Sequence, residues 1–194
     1  MQRLFSALLL LAVMALSACS PAEKLPPLVG TDITGADFAQ TLSLIDHNGT
    51  PRQLADYKGK VIALFFGYTH CPDVCPTTML EMAKAMKLLG KQADEVQVLF
   101  VTLDPERDTR DVLSKFVPSF DSRFVGLYGS AEQTAETAKN FKIFYAKQLE
   151  AGKSGYTIDH SAGVYAFDKE GKIRIYLKYG QKPEEIASDL RHLL

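Results

Sequence analysis

The sequence predicts an α/β domain, a mixed sheet flanked by helices with a β-hairpin added on its N-terminal side. Three features carry that prediction. Two continuous apolar runs, "VIALFFGY" from Val61 and "VQVLFVTL" from Val96, are rich in β-branched and aromatic residues, as strands buried on both faces are. A segment of helical periodicity follows each run, so strand and helix alternate. Late in the chain, two shorter apolar runs joined by "KEG" and followed by one more helix add an antiparallel pair.

Taken in order, "FAQTLSLID" alternates polar and apolar residues and runs into "HNGT", where Asn48-Gly49 marks a turn; this is the predicted hairpin. Val61–Tyr68 is the first central strand. Beyond "CPDVCP", the stretch "TTMLEMAKAMKLLG" is an amphipathic helix ended by Gly90. The second buried strand comes next, and then "DTRDVLSKF", a helix opened by Asp108 and answered by Asp111 in a charged variant of a capping box. A short strand at "FVGLYG" leads to the helix "AEQTAETAKNF". The strands "SAGVYAFD" and "KIRIYLKYG" precede a last helix from Pro183 to His192. Strand–helix–strand–helix, then a hairpin and a helix, is the order of a thioredoxin-like domain.

At 194 residues the chain is long enough for one domain with a substantial core, and a formal net charge of −1 provides no basic field for nucleic acid. The N-terminus stands apart. "MQRLFSALLLLAVMALSACS" has one cation, Arg3, then an apolar run from Leu8 to Leu16 and small residues Ser17 and Ala18 before Cys19. This is a secretory signal, too short for a convincing membrane span. Its "LSAC" ending resembles a bacterial lipoprotein box, in which Cys19 is lipidated and becomes the first residue. The expected organisation is a signal peptide over 1–18, cleaved before Cys19, a flexible proline-bearing tether over 19–35, and a folded domain over 36–194. The domain would then stand outside the cytoplasm, on the periplasmic face, lipid-anchored to a membrane.

With Cys19 assigned to the lipid, Cys71 and Cys75 remain as a pair. The default for an even pair in an oxidising compartment is a structural disulfide. Closing so short a loop restrains the unfolded chain by only about 2 kcal/mol, which favours a chemical role over a structural one. A proline follows each cysteine, and residues before proline are pushed out of the α region. Pro76 suits the first helical position, which places Cys75 near the N-cap and both sulfurs at a helix entrance. The N–H groups and partial charge there favour thiolate, the form that serves nucleophile and metal ligand alike. Two thiolates suit a soft cation, Cu(I) foremost, while dithiol electron exchange stays open.

Of the four histidines, His47 reads as an exposed residue of the hairpin turn and His192 as a dipole partner in the last helical turn. His70 adjoins Cys71, but adjacency in sequence is not shared direction. His160 lies in "GYTIDHSAGVYAFD", at a loop–strand junction that a thioredoxin-like sheet brings back beside the cysteine loop. Thioredoxins carry a cis-proline there, whereas Ile158-Asp159-His160 has none, so an imidazole is offered and a Cys₂His set becomes available. Two carboxylates are candidates for orienting the site. Asp73, between the cysteines, is equally explained by loop N–H groups, and Asp104 in "VTLDPERDT" by capping before Pro105.

The motifs "CPDVCP", "DPERDT" and "DHSA", in that order, resemble the SCO/SenC family from about Phe38 to the C-terminus. These are extracytoplasmic thioredoxin-like proteins implicated in copper delivery to the CuA site of cytochrome c oxidase. The resemblance implies that Cys71 and Cys75 are the metal-binding and redox-active pair, and that His160 is a third ligand for copper, as Cu(I), Cu(II) or both. It gives Asp104 a place outside the ligand set. It further implies as partners the CuA domain of cytochrome c oxidase subunit II or another cuproprotein, an upstream periplasmic copper carrier and a thiol reductase. Two functions follow: a copper chaperone, or a thiol–disulfide oxidoreductase that reduces the acceptor's cysteines, with Cys71 attacking and Cys75 resolving. Many relatives are held by a transmembrane helix, from which the lipid anchor expected here departs.

Overall fold

A computed structural model of the protein describes residues 25–149 and 155–194. The strands are β1 (Thr31–Asp32), β2 (Ser43–Asp46), β3 (Pro51–Gln53), β4 (Val61–Gly67), β5 (Val96–Thr102), β6 (Val125–Tyr128), β7 (Tyr145–Leu149), β8 (Tyr156–His160), β9 (Val164–Phe167) and β10 (Ile173–Leu177). The helices are α1 (Val74–Leu89), α2 (Arg110–Phe116), α3 (Ala131–Asn140) and α4 (Pro183–Arg191). Eight strands form one sheet in the order β1-β10-β9-β4-β5-β6-β2-β3. β4, β5 and β6 run parallel, and the remaining neighbours are antiparallel. This is the mixed, thioredoxin-like α/β sheet that the alternation of strand and helix predicts, with the N-terminal hairpin as β2–β3 on one edge.

The apolar runs form the centre because both of their faces are covered. Val61, Ala63 and Phe65 pack with Met79, Met82 and Met86 of α1 and with Ile186 and Leu190 of α4. Ile62, Leu64 and Phe66 point the other way, toward Leu127, Ala138 and Phe141. All seven residues of β4 are buried, which only a strand sandwiched between helical layers achieves. Gly90 ends α1 at φ +59°, a backbone conformation that favours glycine.

The structure differs from the sequence-based expectations in four places. α1 begins at Val74 with Asp73 at the N-cap, so Cys75 is the second helical residue and Pro76 the third. First-turn N–H groups have no intrahelical acceptor, so proline is tolerated anywhere in that turn. Asp108 does not open α2; Thr109 is its N-cap, accepting the Val112 N–H at 3.4 Å. The paired strands β7 and β8 form a separate two-stranded sheet that the sequence pattern did not announce. Finally, the folded part begins before residue 36. β1 pairs with β10, and the N–H groups of Val29 and Gly30 are donated to the Asp189 carboxylate at 2.9 and 2.8 Å. The expected signal peptide and Cys19 lie outside the described residues, as does the first part of the expected tether. Among the described residues no helix is long and apolar enough to cross a membrane.

Candidate metal centre

The site is assembled at the carboxyl end of β4, where open α/β sheets collect their chemistry. Gly67 makes room for it. A Cβ on that residue would stand 2.8 Å from Cys75 Sγ and 2.9 Å from the Phe65 ring, so only glycine lets the sulfur rest on the strand end. The chain then turns through Tyr68, Thr69 and His70. Asp108 pins this turn: its buried carboxylate accepts the Thr69 N–H at 3.0 Å, the Thr69 hydroxyl at 2.6 Å and the Thr102 hydroxyl at 2.6 Å.

The two cysteines are both free thiols, in unlike surroundings. Cys75 is fully buried in the first turn of α1. Cys71 is half-buried just before the helix, and its sulfur receives the Cys75 N–H at 3.4 Å. The Cys71 thiol is lowered to about 5, foremost by a hydrogen bond from the Cys75 thiol. Burial opposes this, and the N–H groups of Cys75 and Asp73 reinforce it. Cys75 moves the other way, pushed up by that same hydrogen bond to Cys71 and then by burial. The pair therefore holds one thiolate at the surface and one thiol beneath it.

His160 closes the group from the end of β8. Its Nε2 is 3.4 Å from Cys75 Sγ, and its Nδ1 is 2.9 Å from the carbonyl oxygen of Ser161. A carbonyl only accepts, so Nδ1 carries the proton and the Nε2 lone pair faces the sulfurs. The ring edges of Phe65 and Tyr68, each with a centroid 6.0 Å away, wall the imidazole. The Tyr68 hydroxyl is itself raised, chiefly by burial. The donor atoms of Cys71, Cys75 and His160 all lie within 4.8 Å of one another, and Cys71 and His160 line an open basin of about 480 Å³.

Other expected positions fall differently. Asp73 is exposed and its carboxylate accepts the Thr77 hydroxyl at 3.2 Å, so only its backbone N–H serves the sulfurs. Asp104 is buried and caps no helix; it accepts the Tyr156 hydroxyl at 2.7 Å and the Arg107 Nε–H. His70 stays at the surface, 3.1 Å from the Thr69 hydroxyl and 3.8 Å from Asp108, outside the ligand group. His47, expected to be exposed, is buried with Nδ1 accepting the Gly126 N–H at 2.9 Å, and burial lowers its pKa. His192 is exposed at the end of α4, with Nε2 2.8 Å from the Pro26 carbonyl. Asp108, Tyr68, Arg107 and Tyr156 carry no site role in the sequence-based reading, where Asp108 is expected only to open a helix. Two of them stood in plain view within "DPERD", and Tyr68 ends the first apolar run.

Two sulfurs and one imidazole, with no carboxylate among them, form a soft donor set. A structural zinc site takes four ligands, and among the described residues no fourth joins these three. Cu(I) fits the set by softness and by its tolerance of low coordination. The molecule is thus a thioredoxin-like protein whose helix entrance and returning histidine can hold copper. The SCO1/SenC family profile matches residues 30–194, and the chain belongs to that family.

Known proteins agree in sequence and in shape. The chain is 34% identical over 151 residues to the mitochondrial SCO2 homolog of Mus musculus, covering 77% of this chain and 59% of that protein. It therefore spans less than two thirds of that relative's length. The structure of Bradyrhizobium japonicum ScoI with copper bound superposes with a TM-score of 0.73 at 36% identity, covering 79% of this chain and 98% of that one. A SCO1/SenC family lipoprotein from Bacillus anthracis gives a TM-score of 0.71 at 28% identity, covering 86% and 99%.

Proposed function

We propose that this protein is an extracytoplasmic copper chaperone that holds copper on Cys71, Cys75 and His160 and delivers it to the CuA site of cytochrome c oxidase subunit II or to another cuproprotein. The observation that carries this reading is the convergence of the three donors within 4.8 Å, with the Nε2 lone pair already turned inward. The copper in the Bradyrhizobium relative supports it. Bound copper would be cargo. Transfer would proceed by ligand exchange, the acceptor's cysteines and histidines replacing the three donors in turn. Cys71, the most accessible of the sulfurs, is the natural place for that exchange to begin. Asp104 supports the site from outside the ligand set. The lipid at Cys19, the cleaved signal over 1–18 and a place on the periplasmic face belong to the same reading, and the Bacillus anthracis lipoprotein supports them. An upstream copper carrier and a thiol reductase would load the site, because copper requires the pair reduced.

One observation favours a second reading. The asymmetry of the pair, an accessible thiolate at Cys71 over a buried thiol at Cys75, is what a thiol–disulfide oxidoreductase needs in its attacking and resolving cysteines. His160 separates the two. Titration of the reduced protein with Cu(I), and with Cu(II) watched by thiolate-to-copper charge-transfer absorption, is expected to give one copper per chain. His160→Ala is expected to lose more than the roughly 10- to 100-fold that outer partners of a ligand carry, while dithiol–disulfide exchange survives. Copper binding no tighter than in a Cys71→Ser/Cys75→Ser control ends the chaperone reading. Rapid dithiol turnover in His160→Ala, together with wild-type copper binding no tighter than in that control, moves the function to the oxidoreductase.

A further inference from the structure

His160 is carried by a hairpin that lies outside the main sheet. Among the described residues, β7 and β8 pair with each other and with no strand of the eight-stranded sheet. The ladder that fixes β4 and β5 therefore does not fix the imidazole, and something else must hold it against Cys75. Side chains alternate along a strand, so Tyr156, Ile158 and His160 share the face of β8 that meets the body of the protein. Ile158 is buried in the core, and His160 reaches the sulfurs. Tyr156 reaches the loop that follows β5.

There it is held at three points. Its hydroxyl donates to Asp104 Oδ1 at 2.7 Å, its carbonyl oxygen accepts from Arg107 Nη1 at 2.9 Å, and the Arg107 guanidinium lies 3.6 Å from its ring centroid. Arg107 Nε in turn donates to the buried Asp104 carboxylate, which closes the loop of contacts. The same guanidinium stands 5.9 Å from the ring of Tyr68, the residue that walls His160. From β7, Lys147 adds an ion pair to Glu106 at 2.6 Å.

We propose that Asp104, Arg107 and Tyr156 form a clasp that positions His160 over Cys75, so that Arg107 and Tyr156 are positioning residues for the copper ligand. This rests on the copper reading of the site and adds to it the part that sets ligand geometry. Metal centres need their ligands held to within about half an ångström, and outer partners of ligands commonly carry 10- to 100-fold in affinity.

The test uses the full reduced protein carrying Tyr156→Phe, Arg107→Gln or Arg107→Lys. Cu(I) affinity, measured by competition with a chromophoric chelator, is expected to fall about tenfold in Tyr156→Phe and about 10- to 100-fold in Arg107→Gln. Arg107→Lys restores little, because an ammonium cannot supply the flat fork that stacks on Tyr156 while bonding Asp104. In a His160→Ala background the Tyr156 and Arg107 variants should have no further effect on affinity, since their action passes through His160. An equal loss with and without His160 assigns these residues to general folding and overturns the proposal. A metal-free readout runs beside it: the His160 imidazole resonances in the reduced protein should shift or broaden in Arg107→Gln, and unmoved resonances also refute the clasp. A wild-type protein that binds no copper would sink the copper reading, and the imidazole resonances would still decide the clasp.

Discussion

Cys71 and Cys75 sit four residues apart, yet the helix entrance treats them oppositely. Cys71 gathers the N–H groups of Cys75 and Asp73 and the Cys75 thiol proton, whereas Cys75 lies under the sheet edge with its proton held. The folded pKa of Cys71, about 5, is below its unfolded value near 9, so the unfolded chain binds more protons between those limits. The stability that Cys71 contributes is thus full above about pH 9 and lost as pH falls through about 5, while Cys75 shifts in the opposite direction. The reduced, metal-free protein should show a single thiolate appearing near pH 5 by ultraviolet absorbance. At neutral pH, iodoacetamide should modify Cys71 at least about tenfold faster than Cys75. Equal rates at the two cysteines would contradict this asymmetry. That both cysteines matter was legible in "CPDVCP", but which one is exposed was not. Burial depends on Gly67 leaving room at the end of β4, and a four-residue spacing does not encode that.

At the scale of elements, the two long runs identified themselves because a strand buried on both faces must be apolar throughout. The β7–β8 hairpin has no such signature, since β7 exposes Lys147, Gln148 and Leu149 and offers no periodic apolar face. A signal for β8 was present: in "YTIDH" the alternate residues Tyr156, Ile158 and His160 form one face. Asp-Thr-Arg-Asp reads locally as a helix start at Asp108, whereas Thr109 takes that role and frees Asp108 to bind the cysteine turn. Replacing Asp108 by alanine leaves one N–H and two hydroxyls at the turn without their acceptor. Asp108→Ala should lower stability by about 2–3 kcal/mol in urea denaturation. It should also weaken copper binding, because the turn before Cys71 loses its anchor. A variant as stable as the parent would show that water replaces the carboxylate.

For the molecule as a whole, the N-terminal segment is part of the fold and meets the last helix. Asp189, fully buried on α4, accepts the N–H groups of Val29 and Gly30 and one from the Gln181 side chain at 2.5 Å. This latch joins the first described residues to the C-terminal helix and makes no contact with the three metal donors. Asp189→Ala is therefore expected to cost about 2–3 kcal/mol of stability, while the charge-transfer spectrum of the copper-loaded protein stays unchanged. A spectral change would mean that the latch reaches the site through α4 and α1. Copper itself should stabilise the reduced protein by mass action, by about 2.7 kcal/mol at a free concentration one hundred times the dissociation constant.

By itself the sequence determined the fold class, the two central strands, the helix entrance that carries both cysteines, and the family. Each of these is written in local pattern: apolar runs, spacing, and motifs a few residues long. Only the tertiary structure decided that His160 meets Cys75 across 85 residues of chain, that Asp73 serves through its backbone alone, and that Asp104 acts on Tyr156 rather than on a helix end. Those outcomes depend on how a detached hairpin packs against the loop after β5. Periodicity fixes which face a side chain takes, but only packing brings two such faces together.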